Sequence, residues 1–241
     1  MDIRVFRAGG LWLGQLIVFH GDRSDPQGEM PTSSGVWRKG TTEMRLVASR
    51  DAGKTWARVG GKEAWIPCHG DENGFDRLVF TASPVRSGDE LWLYYGCWDG
   101  DHLVWNKDGT TYYKDRARIA RTARAVLRWD GFASLRPNGS APGLGELTTR
   151  PLVTSARRLA VNAEASRGAV RIEIQDARGK PVAGYALEDC IPLSGDGVSQ
   201  PVRWRDKAEL PAEAAAKPFR LRFEVESSDL YGFELSEPVS G

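Results

Sequence analysis

Short runs of apolar or alternating residues, each ended by a polar cluster rich in Gly, Asp or Pro, set the pattern of the first half of this chain. LWLGQLIVFHG (11–21), MRLVASRD (44–51), DRLVFTAS (76–83), ELWLYYGC (90–97) and ARIARTA (117–123) are such runs. A two-residue alternation in runs this short predicts β-strands. RSGDE (86–90) lies between two of them and reads as a hairpin turn. The runs group into two four-stranded units, about 3–60 and 75–134, the size of propeller blades.

The composition changes at RPNGSAPGLGE (136–146), which reads as a linker or long surface loop. Beyond it the alternation is cleaner. VRIEIQ and RLRFEVE predict antiparallel strands buried on one face only. KAELPAEAAAK (207–217) is the best helical stretch, but Pro211 interrupts it and limits it to a short turn. The fold class is therefore all-β: a partial β-propeller of about two blades over 1–136, then a jelly-roll-like β-sandwich over 144–241.

The balance of 33 basic and 32 acidic residues, net charge +1, gives no field to attract nucleic acid or an anionic membrane. No apolar run reaches the roughly 18 residues that a membrane helix needs. MDIRVFRAGGLWLG lacks the layout of a signal peptide, so the expected location is cytoplasmic. Cys68, Cys97 and Cys190 show no CxxC spacing and read as buried, reduced thiols. Most of the nine tryptophans precede residue 130, where indoles pack sheets or stack on sugars.

SRDAGKTW (49–56) has the spacing S-x-D-x-G-x-T-W and resembles the Asp-box hairpin of sialidase-like propellers. In such a hairpin Asp51 accepts backbone amides, Gly53 turns the chain and Trp56 packs back, a structural duty. FTASPVRSGDELWLYYGCWDGDH, RIARTARAVLRWDGFASL and the stretch from LTTRPLV to GYALEDC resemble the C-terminal portion of bacterial proteins related to glycoside hydrolase family 32. That resemblance covers about 11–235 and implies a five-bladed propeller followed by a β-sandwich. It also implies three carboxylates converging on a central channel, two of them from first blades that this sequence lacks. Arg23-Ser24-Asp25-Pro26 departs from the family's R-D-P by one residue, and no E-C dipeptide supplies the acid. Two blades leave open edges, so the chain is expected to form a homo-oligomer that completes the propeller.

Three groups of residues carry candidate chemistry. HGDENGFD supplies Asp71, Glu72 and Asp76, and Asp76 opens a strand expected to be innermost in its blade. Paired carboxylates there suit acid and base work on a glycosidic bond. His20, His69 and His102, each near a strand end, could converge on a divalent metal, Zn or Mn, with Asp22, Asp71 or Asp101 behind them. That set would hydrolyse small esters such as phosphate esters through a metal-bound water. Trp98, Trp105, Tyr112 and Tyr113 lie in one long connection and could wall a sugar or small-molecule pocket. Glu188, Asp189 and Asp196 read as turn residues or a Ca²⁺ site. Three functions remain open: a glycosidase, a metal-dependent esterase and a non-catalytic carbohydrate-binding protein.

Overall fold

The computed structural model describes residues 3–21, 40–61, 63–66, 78–98, 120–138 and 143–237. The chain divides into two compact units, Met1–Leu127 and Arg128–Gly241. Among the described residues every regular element is a β-strand, apart from one 3-10 turn, Ala212–Ala215. The fold is all-β. None of the described helices is long and apolar enough to cross a membrane.

The first unit is a partial propeller of about two blades. Its first sheet is an antiparallel meander, β1 (Ile3–Ala8), β2 (Leu11–Gly21), β3 (Gly40–Ser49) and β4 (Ala57–Arg58), paired in chain order. β2 and β3 run in unbroken register from Trp12 opposite Ser49 to Gly21 opposite Gly40. The alternation of β3 sends Thr42, Met44 and Leu46 inward and leaves Thr41, Glu43 and Arg45 on the wetter face. Met44 packs with Ile17 and Ile66, and Trp65 and Tyr95 lie against them.

Tyr95 comes from the second sheet. There β5 (Leu78–Thr81) and β6 (Val85–Ser87) pair with β7 (Glu90–Trp98), and β8 (Ala120–Arg128) also pairs with β7. β5 and β6 are two halves of one strand. Thr81 sits opposite Tyr95 and Val85 opposite Trp92, a one-residue slip across Ser83-Pro84. Pro84 has no amide to donate, which accounts for the break. The turn read in RSGDE is present: Ser87 pairs with Glu90 across Gly88-Asp89, and Gly88 has φ 60°.

The second unit is a jelly-roll-like β-sandwich. β9 (Leu144–Thr148), β11 (Ala169–Asp176) and β13 (Phe219–Glu226) form one sheet, in the order β11-β13-β9. β10 (Arg158–Glu164), β12 (Asp196–Pro201) and β14 (Asp229–Ser236) form the other, in the order β12-β10-β14. Successive strands alternate between the sheets. The β10–β11 crossover is tight: a Cβ on Gly168 would lie 1.8 Å from the Glu226 carbonyl oxygen, so only glycine fits.

Strict alternation in β13 buries Phe219, Leu221, Phe223 and Val225 between the sheets, with Val161, Ile172, Ile174 and Trp204. Trp204 is buried and donates its indole N–H to the Ile172 carbonyl at 2.7 Å. β11 departs from the expected pattern of one buried face. Glu173 and Gln175, on its other side, are buried too. The segment after β11 covers them: the Val182 amide bonds to the Ile174 carbonyl and the Ile174 amide to the Tyr185 carbonyl. Glu173 accepts the Gln175 amide at 2.8 Å and faces Arg222 at 3.5 Å.

The stretch 136–146, read as a linker, is tied down at its ends. The Leu135 amide bonds to the Leu230 carbonyl, Arg136 pairs with Asp229, and Leu144 enters β9. The helical stretch near 207–217 shortens to the 3-10 turn directly after Pro211, as its proline requires.

Candidate functional site

Of the ten residues in the three candidate groups, His20 and Trp98 fall among the described residues. Asp71, Glu72, Asp76, His69, His102, Trp105, Tyr112 and Tyr113 lie outside them. His20 is the next-to-last residue of the long β2 strand. Gly40 faces that end of β2, and a Cβ on it would sit 2.1 Å from the His20 carbonyl oxygen. Glycine at 40 therefore lets β3 start close against His20.

His20 and Glu43 share the wetter face of the sheet, and His20 Nε2 lies 3.1 Å from Glu43 Oε1. Arg45 holds the same oxygen: its Nε donates to Oε1 at 2.5 Å and its Nη2 also pairs with it. Burial pushes the Glu43 carboxyl up, but the bonds from Arg45 and His20 outweigh it, and the net shift is downward. The result is an ionised Glu43 that orients one imidazole nitrogen, while Nδ1 has no partner among the described residues. An imidazole held this way can take a proton or ligate a metal. Among the described residues no group of three His, Cys, Asp or Glu side chains could hold a metal ion.

Trp98 closes β7 opposite Leu78, which follows Asp76 by two residues in the sequence. Its ring runs beneath Gly96, where an added Cβ would be 3.3 Å from the indole. On the same strand Trp92 donates its N–H to Glu90 at 2.7 Å, and the Arg124 guanidinium stacks 4.3 Å from its ring centroid.

The hairpin at 49–56 is held by its own side chains. Ser49 Oγ donates to Asp51 Oδ1 at 2.8 Å and accepts the Gly53 amide at 2.8 Å. Asp51 accepts the Thr55 amide at 2.8 Å and the Thr55 hydroxyl at 2.6 Å. Ala52 (φ 58°) and Gly53 (φ 87°) turn the chain, and Trp56 donates its indole N–H to the Gly53 carbonyl at 3.0 Å. The Thr55 hydroxyl, then the Thr55 amide and Ser49, hold the Asp51 carboxyl down at about 2. Each oxygen of Asp51 is engaged within the turn, which leaves it a structural residue.

In the sandwich, Asp189 and Asp196 are not brought to one site. Asp189 accepts the Ala186 amide at 3.2 Å and pairs with Arg205 at 2.7 Å, whereas Asp196 pairs with Arg128 at 2.5 Å. Sequence reasoning missed a second acidic centre here. Asp229 is buried and accepts Arg136 through Nε at 2.8 Å and through Nη2, with the Ser134 hydroxyl at 3.1 Å. Its partners lie more than 90 positions away, so no local pattern announces them.

No family model matches the chain, and no curated protein matches its sequence. Among solved structures, a glycoside hydrolase family 43 arabinoxylan arabinofuranohydrolase from Bacillus subtilis, in complex with cellotetraose, matches at 13% identity and a TM-score of 0.27. The match covers 98% of this chain and 54% of that one, so the chain spans about half of its length. The architecture described above stands on the strands themselves.

Proposed function

We propose that the chain is a hydrolase derived from a glycoside hydrolase-like propeller and acts on glycosidic bonds. Its carboxylates would be Asp76, Asp71 and Glu72, with Trp98, Trp105 and Tyr112 against the sugar. The observation that carries this reading is the blade-like meander closed by the 49–56 hairpin, with its self-contained hydrogen bonds, followed by a β-sandwich. The likeness to family 32 in particular rests on the sequence alone. The test is release of nitrophenol from a panel of aryl glycosides by the full chain. Turnover abolished by Asp76→Asn and kept by His69→Ala supports the reading; turnover indifferent to Asp76→Asn overturns it.

A second reading has one observation in its favour. Glu43 grips one nitrogen of His20, as carboxylates grip histidines that bind metals through the other. His20, His69 and His102 would then hold Zn or Mn, which supplies a water acidic enough to attack an ester at neutral pH.

A further inference from the structure

The centre that the sequence concealed fastens residues 134–136 to β14 and also borders a cavity. Arg136, Arg167, Ser227, Ser228 and Asp229 line a cavity of about 230 Å³ on the sandwich, with Pro137 and Gly143 at its edge. Arg136 enters it already oriented. Two of its five N–H groups, on Nε and Nη2, are spent on the buried Asp229 carboxylate, which fixes the guanidinium plane. The remaining three have no partner among the described residues.

Arg167 is exposed on the β10–β11 crossover and near enough to help hold the Asp229 carboxyl low, after Arg136 and Ser134. It forms no ion pair with that carboxylate and has no hydrogen-bonding partner among the described residues. Glu164 accepts the Ser166 amide at 3.1 Å and acts on Arg136 only through its charge, and Glu226 faces Arg171 at 3.7 Å. Ser227, held at φ 45° by the crossover from β13 to β14, adds a hydroxyl. Two guanidinium groups thus line one concave site with a single carboxylate, Asp229, that Arg136 and Ser134 already engage.

We propose that this cavity binds an oxyanion, a carboxylate or a phosphate group, between Arg136 and Arg167. Guanidinium forks match both groups through paired N–H···O bonds. An arginine fixed before the ligand arrives spends little entropy on binding it. The site lies within the sandwich and does not depend on the propeller chemistry proposed above.

The probes are glucuronate, inorganic phosphate and, as the uncharged control, glucose, titrated into the full chain by calorimetry at constant ionic strength. Saturable binding of glucuronate or phosphate is expected, weakened at least tenfold in Arg167→Gln, with glucose silent. Arg167 is exposed and has no hydrogen-bonding partner among the described residues, so this variant should fold, and an unchanged circular dichroism spectrum verifies it. Tighter glucuronate than phosphate assigns the site to acidic sugars and other carboxylates; the reverse assigns it to phosphate esters. Binding equal in Arg167→Gln and the unaltered chain, or no saturation by either anion, overturns the proposal.

Discussion

Thr81 on β5 donates its hydroxyl to Gln15 Oε1 on β2, a hydrogen bond of 2.5 Å that joins the two sheets of the first unit. Both side chains are buried, and Gln15 Nε2 has no partner among the described residues. Gln15 stands on the core face of β2, where Leu13 and Ile17 flank it. A buried polar group that loses its last partner costs about 1–3 kcal/mol. Thr81→Val should therefore destabilise the first unit by that much in urea unfolding. The double variant Gln15→Met with Thr81→Val should recover most of the loss, because it removes donor and acceptor together. Additive losses in the double variant would show that the bond does not couple the sheets.

The hairpin at 49–56 makes a pH-dependent prediction. The Asp51 carboxyl sits at about 2, below the ordinary carboxylate value near 4. A depressed folded-state value means the stabilisation is fully present above about pH 4 and is lost as pH falls toward 2. The Asp51 carboxyl carbon should titrate by NMR with a midpoint near 2, and the Thr55 amide should move with it. Asp51→Asn should shift the Thr55 and Gly53 amides at neutral pH. A midpoint near 4 would mean the hydroxyl and amide bonds to Asp51 do not persist in solution.

Asp130 behaves in the opposite sense. Burial, then the charge of Glu234, pushes its carboxyl up, so the fold disfavours its ionised form. A raised folded-state value means stability is gained as pH falls through that value and is missing at neutral pH. Its backbone is left-handed, φ 55°, which Asn tolerates as well as Asp. Asp130→Asn should raise the Tm of the second unit by a few degrees at pH 7. The gain should shrink on acidification, as Asp130 becomes neutral in the unaltered chain. A lower Tm at pH 7 would mean that Asp130 makes a bond that Asn cannot.

These cases show which parts of the molecule were legible in its sequence. β13 was, because Phe219, Leu221, Phe223 and Val225 alternate with charged residues without exception, and the sandwich buries them so. The 49–56 hairpin was, because its bonds run between residues at most four apart. β11 was legible as a strand but not in its surroundings: Glu173 and Gln175 look solvent-facing until residues 180–190 fold over them. The 136–146 stretch has the composition of a linker, yet Arg136 is fixed to Asp229, which no spacing rule reveals. His20 was picked for its place at a strand end, but its hold on Glu43 depends on the β2–β3 register.

His20 and Glu43 give the measurement that separates the two catalytic readings. If three histidines hold a metal, elemental mass spectrometry on tag-free protein should find about one Zn or Mn per chain. His69→Ala should abolish that content. Glu43→Gln should lower the affinity for the metal by about 10- to 100-fold, the usual effect of losing a carboxylate that orients a metal-bound histidine. Because Arg45 keeps its own place on β3, Glu43→Gln should leave the Tm near its starting value. A metal-free chain, with esters untouched and aryl glycosides cleaved, returns His20 to a surface pairing with Glu43 and leaves the carboxylates to do the chemistry. Metal that persists unchanged in both variants would place its site on other residues.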